Sequence, residues 1–595
     1  MCGIAGMMSL DGVTPDDAAL DALVDALRHR GPDGEGRFAA GGVGLIQTRL
    51  AIIDLNTGDQ PLYAEQSGGE QCVLVGNGEI YNYVELREEL GTGLFKTQSD
   101  CEPPLQLYLK HGPDYPRYLR GMYALAVYDA ARRQLIVSRD PLGIKPLYYT
   151  ETSSGFCFAS EPQALIKAGL VQPNVCEKSI HELLQLQFSC GPQTAFENIH
   201  RVLPGETLVV ENGRIVGRHK INALPEERPR DQSLDEALHR LDEVFAESVE
   251  LHQRADVPYG MFLSGGVDSS AVLAMMKRLN AEPVHAFTAG FADSTVHDER
   301  AQARRIAKVV GAKHTEVEFT ESDFWTLLPR AAAAMDDPAA DYAVLPSYKL
   351  AQAAKEAGLK VILTGEGGDE LFAGYGRYRR ARRLKLFGGR PMRHRGILEG
   401  LGVLRQETDS FHWRDGIAAV EHDAGTAGLT ALQAAQATDC ADWLPHDLLT
   451  KLDRCLMAFG VEGRVPFLDQ RMAEFAFTLP DHLKVRRGMG KWLLRTWLDR
   501  HLPEAAPFAR KRGFTVPVGA WIATRAAEIG PLVAKQPGVE ELCDPKAVVN
   551  LFNSVASNQN GQSAKAAWTL VFYALWHQTH ILNKAPAKSV QESLA

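Results

Sequence analysis

The stretch VPYGMFLSGGVDSSAVLAMMKRL, residues 257–279, sets the fold of the second half of the chain. Its first part is a short apolar run that predicts a buried strand over Val257–Leu263. A tight turn with two glycines follows, and the apolar periodicity of Ser269–Leu279 predicts a helix. Glycines in such a turn let backbone N–H groups close around an anion, and the start of the helix adds a favourable dipole. The stretch therefore predicts a strand–turn–helix unit suited to phosphate.

The same rhythm continues towards the C-terminus. Further strands are predicted at Pro283–Gly290, His314–Phe319 and Leu359–Thr364, and helical stretches such as Asp298–Val310 separate them. Strands that alternate with helices in this way indicate a doubly wound parallel sheet of the α/β class. Helical patterns dominate from about residue 375 to the end, so we expect a helical C-terminal part.

The first 200 residues have a different pattern, in which short strands, glycine-rich turns and helices are interspersed. This pattern predicts an α+β domain of layered sheets. The helices are predicted at Asp16–Arg28 and Val84–Glu89. The strands are predicted at Val43–Ile53, Gln71–Gly76, Ala124–Tyr128, Gln134–Ser138 and Gly155–Ala159, with a closing hairpin at Leu203–Val216.

A polar, proline-bearing segment separates the two patterns. Leu224–Gln232, with the sequence LPEERPRDQ, has no periodicity and is the best candidate for a linker. We therefore expect one domain over residues 1–220 and a second over residues 233–595.

The composition is that of an ordinary soluble protein, with 45% apolar and 23% charged residues. The net charge of −10 argues against a nucleic-acid partner, and the absence of an 18-residue apolar run argues against a membrane span. Nine scattered cysteines without a CxxC pair, behind a start that does not resemble a signal peptide, favour a reduced, cytoplasmic protein. A basic run from Arg377 to Arg395 is read as a solvated helix face, with a polyphosphate patch as the alternative.

A cysteine stands at position 2. Removal of Met1 would give Cys2 a free α-amino group, whose pKa of about 7.7–8.0 suits a base near neutral pH. A thiol beside its own amine is an activated nucleophile. A cysteine at this position is more often a small buried residue, so the neighbouring sequence must decide.

Those neighbours resemble the class II glutamine amidotransferases, which have an N-terminal nucleophile fold with layered antiparallel sheets. The motifs occur in the order that this family has. They are Met1-Cys2-Gly3-Ile4, Arg28-His29-Arg30-Gly31-Pro32-Asp33, Arg49-Leu50-Ala51-Ile52-Ile53-Asp54, Gln60-Pro61, Asn77-Gly78-Glu79-Ile80-Tyr81-Asn82, Ser99-Asp100-Cys101-Glu102, Gly121-Met122 and Arg139-Asp140-Pro141-Leu142-Gly143. After Glu102 the chain departs from the family with Pro103-Pro104, and we expect a helix to begin there, because proline is tolerated in a first helical turn.

The resemblance implies a glutaminase site. Cys2 would attack the side-chain amide of glutamine, and Asn77 with the Gly78 N–H would form the oxyanion hole. Arg49 would hold the α-carboxylate of glutamine, and Asp100 would hold its α-ammonium. The residues implied to bind glutamine are Arg49, Leu50, Ala51, Ile52, Ile53, Asn77, Gly78, Glu79 and Asp100. For His29 and Asp33, structural and catalytic roles both stay open.

The second half resembles the ATP pyrophosphatases, in which SGGVDSS forms the PP-loop; the spacing of a Walker A loop is absent. Its later motifs resemble those of the asparagine synthetase family. They are Thr364–Tyr375 (TGEGGDELFAGY), Asp453-Arg454, Val461–Asp469 (VEGRVPFLD) and Gly490-Lys491.

This resemblance implies a synthetase site for ATP and Mg²⁺. Asp268 and Asp369 would hold Mg²⁺, Lys491 would neutralise phosphate charge, and Glu366 would accept a proton as ammonia attacks. The residues implied to bind ATP are Phe262, Leu263, Ser264, Gly265, Gly266, Asp268, Ser269, Ala289, Thr364 and Gly365.

The two resemblances together predict a glutamine-dependent asparagine synthetase. Ammonia from glutamine would pass within the protein to an aspartate activated as β-aspartyl-AMP, which keeps the ammonia from being lost as ammonium. Its partners would be glutamine, aspartate and ATP, with no nucleic acid or membrane; a homodimer is an open alternative to a monomer. The runner-up is the same machinery acting on another carboxylate, such as a peptide, an antibiotic precursor or a surface sugar acid. A non-catalytic metabolite sensor is the third hypothesis.

Overall fold

The computed structural model supports two halves with different sheet types. It describes residues 2–65, 69–291, 299–381, 389–405, 412–509, 516–558 and 561–595. The first half contains the strands β1 (Gly3–Ser9), β2 (Gly34–Ala40), β3 (Val43–Arg49), β4 (Leu62–Glu65), β5 (Gln71–Ile80), β6 (Gly121–Asp129), β7 (Gln134–Arg139), β8 (Tyr148–Glu151), β9 (Gly155–Ala159), β10 (His200–Arg201), β11 (Glu206–Glu211) and β12 (Arg214–Lys220). Its helices are α1 (Asp17–Leu27), α2 (Tyr83–Leu90), α3 (Glu102–His111), α4 (Pro162–Lys167) and α5 (Glu177–Leu186).

The second half begins with α6, whose first turn is closed by a capping box between Ser233 and Glu236. Its strands are β13 (Tyr259–Phe262), β14 (His285–Phe291), β15 (Lys313–Phe319), β16 (Val361–Leu363) and β17 (Glu462–Arg464). Its helices are α6 (Leu234–His252), α7 (Val267–Leu279), α8 (Arg300–Val310), α9 (Glu321–Ala334), α10 (Val344–Glu356), α11 (Gly368–Leu371), α12 (Gly376–Ala381), α13 (Asp415–Thr426), α14 (Ala431–Thr438), α15 (Thr450–Met457), α16 (Gln470–Thr478), α17 (Asp481–Lys484), α18 (Trp492–His501), α19 (Val518–Ala534), α20 (Pro537–Leu542), α21 (Pro545–Asn558), α22 (Gly561–His580) and α23 (Val590–Leu594). A π-helical segment, Asp439–Leu449, joins α14 to α15.

Two six-stranded antiparallel sheets face each other in the first half, with the orders β10-β8-β9-β1-β3-β2 and β12-β11-β7-β6-β5-β4. Inward-facing residues such as Ile4, Leu45, Val75 and Val137 fill the space between the sheets and are fully buried. The helices α1, α4 and α5 cover the outer face of the first sheet, and α3 covers the second. The predicted α+β class is confirmed. As expected, α3 begins at the two prolines after Glu102.

Two strand predictions in this half are wrong at their ends. The strand predicted over Gln71–Gly76 continues to Ile80. The strand predicted over Val43–Ile53 stops at Arg49. Beyond Arg49 the chain leaves the sheet, and the Ile52 carbonyl accepts a hydrogen bond from the N–H of Asp256 in the second half, 2.9 Å. The apolar run therefore continues because it packs at an interface, which the alternation of a strand cannot distinguish.

The second half holds a five-stranded parallel sheet with the order β15-β14-β13-β16-β17. The predicted doubly wound α/β fold is confirmed, and its predicted strands end within two residues of the observed ones. The strand order reverses between β13 and β16, and in such sheets ligands bind beyond the carboxyl ends of the strands at this point. The PP-loop follows β13 and the Thr364–Tyr375 segment follows β16, so both loops lie at the switch point.

The two halves share a continuous interface. Apolar residues of the outer layer on the first sheet belong to the same buried cluster as the core of the second half, and the rings of Phe196 and Trp576 lie 5.4 Å apart. Buried arginines of the first half also form bidentate ion pairs with the second. The pairs are Arg30 with Asp453 (2.8 and 3.0 Å), Arg120 with Asp469 (2.7 and 2.8 Å) and Arg201 with Asp337 (2.7 Å twice).

The prediction for the basic run was only partly right. Arg380 and Arg395 are exposed, as a solvated face requires. Arg377 and Arg393 instead pack on aromatic rings. Arg382, Arg383 and Lys385 lie outside the described residues.

Two further sequence predictions concern the environment of the protein. All nine cysteines are free thiols, as the odd count and scattered spacing indicated. Among the helices in the described part of the chain, none is both long enough and apolar enough to cross a membrane.

Replacing Arg201 with Leu should lower stability strongly. The change leaves the Asp337 carboxylate buried without its cation, which costs about 3–5 kcal/mol. The midpoint of thermal unfolding, followed by calorimetry, should therefore fall. Arg28→Leu is the control, because Arg28 pairs only with exposed carboxylates and its loss should leave the midpoint unchanged. Equal midpoints for both variants would contradict the importance of the interface pair.

Candidate active sites

Cys2 lies at the entry to β1, in the middle of the first sheet. The residue is 8% exposed. Its backbone N–H donates to Asn77 Oδ1, 3.0 Å, and its carbonyl oxygen accepts from Arg30 Nε, 3.2 Å. The backbone of the predicted nucleophile is thus fixed from both sides.

Asn77 and Gly78 lie next to this cysteine on β5. Asn77 Nδ2 is buried and has no hydrogen-bond partner among the described residues. At position 78 a Cβ atom would come within 2.1 Å of the Met122 carbonyl oxygen, so only glycine fits. An amide donor held in place beside the nucleophile, with its N–H groups still available, is what an oxyanion hole requires.

The thiol of Cys2 needs help to ionise. Burial raises the pKa of the Cys2 thiol, while the Leu50 N–H acts in the opposite direction. Because the thiolate is the reactive form, the site depends on the amine as a base or on polar groups of the bound substrate.

The acidic residues of the predicted glutamine pocket are buried. Asp100 Oδ2 accepts from the Ile80 N–H, 2.8 Å, and burial raises the pKa of the Asp100 carboxyl to about 6. Glu79 forms an ion pair with Arg464 Nη2 of β17, 3.1 Å. Burial also raises the pKa of Glu79 well above its ordinary value. A strand of the second half therefore contacts the glutaminase pocket.

Arg49 is buried with its guanidinium near the loop that follows β3. Its Nη1 pairs with Asp59, 2.7 Å, and its Nη2 donates to the Asp54 carbonyl, 2.5 Å. Asp59 is 80% exposed, and an exposed ion pair is weak. A substrate carboxylate can therefore replace Asp59 as the partner of Arg49.

Ala51 lies at the interface between the two halves. The Ala51 N–H donates to Asp33 Oδ2, 2.9 Å, and its carbonyl accepts from Lys360 Nζ, 3.3 Å. Lys360 also pairs with Asp33, 2.7 Å, and His29 Nε2 lies 3.1 Å from Glu161 Oε1. His29 and Asp33 thus both take part in polar contacts within the protein, which favours a structural role for each.

The charged residues that join the pocket to the second half stand in the quoted motifs, but no role was predicted for them from the sequence. They are Arg30, Asp453, Glu462 and Arg464. The only signal was a charged pair inside the apolar pattern of α15, Asp453-Arg454, because charges in a buried helix need partners. The sequence could not show that one partner is more than 400 residues away.

The PP-loop leaves β13 and leads into α7. The hydroxyls of Ser264 and Ser269 lie 3.0 Å apart, and the Gly266 N–H donates to Ser264 Oγ, 3.2 Å. Gly265 has φ +73°, a conformation that favours glycine. The loop thus brings its hydroxyls together at the start of α7, where the helix dipole favours an anion.

The loop after β16 closes onto the PP-loop through two glycines. A Cβ at Gly365 would lie 2.8 Å from the Ser269 nitrogen, and one at Gly368 would lie 2.5 Å from Asp268 Oδ1. Glu366 lies between them, and burial raises the pKa of its carboxyl, with Lys451 opposing the shift. This close approach is possible only without side chains at the two glycine positions.

Lys491 is 1% exposed and forms ion pairs with both Asp268 and Asp369, the second at 2.6 Å. Burial opposes its charge, but the two carboxylates hold the pKa of Lys491 above its ordinary value. Two carboxylates that converge on one cation suit Mg²⁺, which usually takes one or two protein carboxylates and completes its shell with phosphate and water. In the part of the chain that the structure describes, no group of three or more acidic, histidine or cysteine ligands forms a metal site by itself.

Several residues predicted to bind ATP lie at the ends of neighbouring strands. Phe262 ends β13, Ala289 lies near the end of β14, and Thr364 follows β16. The Leu263 N–H donates to the Phe287 carbonyl, 2.8 Å, and Thr364 Oγ1 is buried without a hydrogen-bond partner among the described residues. The predicted ATP residues therefore meet at the switch point of the sheet.

Comparisons with known proteins find matches to both halves of the chain. Residues 1–220 match the family model described as a glutamine amidotransferase domain, and residues 240–578 match the model described as asparagine synthase. The chain is 30% identical to asparagine synthetase [glutamine-hydrolyzing] 1 of Bacillus subtilis, over 98% of this chain and 97% of that protein. It is 30% identical to asparagine synthetase B of Escherichia coli, over 88% of this chain and 84% of that protein.

A third relative carries a different name. Amidase chry2 of Gibberella zeae is 32% identical over 64% of this chain and 60% of that protein. The match to the asparagine synthase model covers more than half of this chain, and the bacterial relatives match almost from end to end. The chain therefore belongs to the asparagine synthetase family of glutamine-hydrolysing, ATP-dependent ligases.

Proposed function

We propose that this protein makes asparagine from aspartate, with ammonia taken from glutamine. The observation that carries the proposal is the presence of both sites on one chain, each with its polar groups already arranged. Beside Cys2, Asn77 Nδ2 is buried without a partner among the described residues. At the other site, Lys491 holds Asp268 and Asp369 together beside the PP-loop.

At the first site, Cys2 attacks the side-chain amide of glutamine. Asn77 and the Gly78 N–H stabilise the negative oxygen that develops, an effect worth several kcal/mol in such sites. The α-amino group of the processed N-terminus takes the thiol proton and returns it to the leaving ammonia. Arg49 and Asp100 hold the charged ends of glutamine, and Glu79 supports the ammonium side.

At the second site, the PP-loop and the N-terminus of α7 hold the phosphates of ATP. Asp268 and Asp369 would hold Mg²⁺, which lowers the negative charge of the phosphates when bound. Lys491 neutralises charge as pyrophosphate leaves. Glu366 accepts a proton from ammonia as it attacks the activated carboxyl group, and its raised pKa suits this exchange.

The runner-up is the same two-site chemistry on a different acceptor. A relative that bears the name amidase is 32% identical to this chain over 64% of its length. Sequence similarity of this kind therefore does not determine which carboxylic acid is the acceptor. The deciding experiment is a screen for pyrophosphate release with glutamine, Mg-ATP and a panel of carboxylic acids. Aspartate should give the highest kcat/KM, and a clear preference for another acid would overturn the proposed acceptor.

Replacing Cys2 with Ala should abolish the use of glutamine, because no nucleophile remains. We expect glutamate release to fall by a factor on the order of 10⁴–10⁶, while synthesis from added ammonium continues. Cys176→Ala, at a partly exposed cysteine away from the site, should leave both activities unchanged. Loss of the ammonium-dependent activity in Cys2→Ala would refute a two-site division of labour.

Replacing Asp268 with Asn should stop pyrophosphate release, since one of the two cation-binding carboxylates is lost. Glutamine hydrolysis should persist, because Cys2 and its surroundings are unchanged. Both products are measured in the same reaction, and Asp235→Asn, at an exposed position, is the control. Pyrophosphate release at the parental rate would exclude the assigned role.

The glutaminase should lose efficiency in acid. Only the ionised Asp100 carboxylate attracts the α-ammonium of glutamine, and burial places the pKa of this group at about 6. The ionisation of Asp100 should therefore contribute about a tenfold rise in kcat/KM for glutamine per pH unit below pH 6, and its contribution should level off above pH 6. In Asp100→Asn the value should be low and this limb should vanish. An unchanged limb in that variant would assign it to another group.

A further inference from the structure

Two arginines of the basic run meet at one indole ring. The guanidinium carbon of Arg377 lies 4.0 Å from the centre of the Trp443 ring, and that of Arg393 lies 4.5 Å from it. Trp443 Nε1 donates to Asp447 Oδ2, 2.5 Å. The four residues Arg377, Arg393, Trp443 and Asp447 thus form one unit, which we call the arginine–tryptophan cluster.

Several polar atoms of this cluster face no partner. Arg377 Nη2, Arg393 Nε, Arg393 Nη2 and Asp447 Oδ1 are shielded from solvent and have no hydrogen-bond partner among the described residues. A buried donor or acceptor left unsatisfied costs about 1–3 kcal/mol, and more when it is charged. Asp447 is only 4% exposed. Four such atoms around one ring therefore indicate a position that a polar ligand completes.

The cluster adjoins the synthetase site along two paths. Tyr375 stacks under Arg377 at 4.0 Å and donates from its hydroxyl to Glu370 Oε1, 3.0 Å. Glu370 belongs to the loop that carries Glu366 and Asp369. On the other side, Asp447 lies one helical turn before Lys451, whose charge acts on Glu366.

The backbone here is also unusual. Trp443 and Asp447 both lie on the π-helical segment Asp439–Leu449. π-Helical backbone is rare, and its short insertions into α-helices occur frequently at functional sites. Asp439, on the same segment, positions Arg377 by accepting a hydrogen bond from its Nε, 2.7 Å. One segment therefore supplies the ring, the carboxylate and the ion-pair partner that position Arg377 in the cluster.

We propose that the arginine–tryptophan cluster binds the α-amino-acid head of the acceptor, with Arg377 and Arg393 on the α-carboxylate and Asp447 on the α-ammonium. The inference rests on the proposed function only in placing the acceptor at the synthetase site. It goes further by naming the side chains that would bind the charged head of that acceptor.

The charge pattern selects a zwitterion over a simple anion. An anion would satisfy the guanidinium groups but would leave the free oxygen of Asp447 buried and would be repelled by it. A cation would satisfy Asp447 but would leave the guanidinium donors unpaired and would be repelled by them. Burial raises the pKa of the Asp447 carboxyl to about 7, and a bound ammonium beside it favours the ionised form. A ligand with both charges satisfies all four atoms.

The test compares aspartate with two analogues that each lack one charge of the head. β-Alanine lacks the α-carboxylate, and succinate lacks the α-ammonium. Pyrophosphate release is measured with ammonium as the nitrogen source. Arg377→Gln and Arg393→Gln should raise the KM for aspartate at least tenfold and leave the KM for β-alanine unchanged. Asp447→Asn should raise the KM for aspartate at least tenfold and leave that for succinate unchanged.

A matched control and two unaffected activities separate recognition from damage. Arg380→Gln, at an exposed position on the same helix as Arg377, should leave every KM unchanged. In all variants the KM for ATP and the rate of glutamine hydrolysis should match the parent, which shows that the fold is kept. An equal rise in KM for aspartate and for both analogues would overturn the proposal.

Ligand binding by the full-length parent protein separates this inference from the proposed function. Thermal unfolding is followed with Mg-AMP-PNP and, in turn, aspartate, glutamate and ornithine, each beside its analogues without the α-carboxylate or the α-amino group. If glutamate raises Tm more than its analogues do and aspartate does not, the aspartate assignment fails and the cluster assignment stands. If no amino acid raises Tm more than its analogues, the cluster assignment fails whichever acid is the substrate.

Discussion

The buried ion pair between Arg30 and Asp453 is the constraint on which the two-site arrangement depends. The guanidinium of Arg30 is fully buried, donates twice to Asp453 and also donates to the carbonyl of Cys2. Separating the two halves would leave both charges without partners, which is strongly unfavourable. The nucleophile and the synthetase sheet are therefore held in one fixed relation. The proposed reaction requires such a relation, because ammonia that escapes into bulk water is protonated and unreactive.

Much of this architecture could be predicted because local patterns determine it. The strand–turn–helix unit at 257–279 requires only apolar periodicity and glycines, and β13 and α7 begin within two residues of their predicted positions. The candidate glutaminase residues could be named because their motifs resemble those of a known family in content and order. The strand predicted through Ile53 failed, since an apolar run that packs against another domain has the same composition as one that packs inside a sheet.

What could not be predicted lies in contacts between distant residues. Glu79 of the first half forms an ion pair with Arg464 of the second half, although the two residues are far apart in the sequence. The basic run around Arg377 shows the same difficulty in another form. Its composition is that of a solvated helix face. In the fold, however, Arg377 packs against the indole ring of Trp443 and bonds to Asp439, whereas Arg380 is exposed. Charge alone does not determine exposure when aromatic partners are available.

A common physical feature links the polar groups that we connect with substrates. Asn77 Nδ2 beside the thiol and Arg393 Nε beside Trp443 are both buried donors without a partner among the described residues. A fold bears the cost of such groups only if something offsets it, since burial removes water that would otherwise satisfy them. At an oxyanion hole the offset comes from charge that develops during the reaction. At a specificity site, the charge that the ligand already carries offsets the cost. A ligand without that charge binds poorly, because it leaves the buried polar groups unpaired.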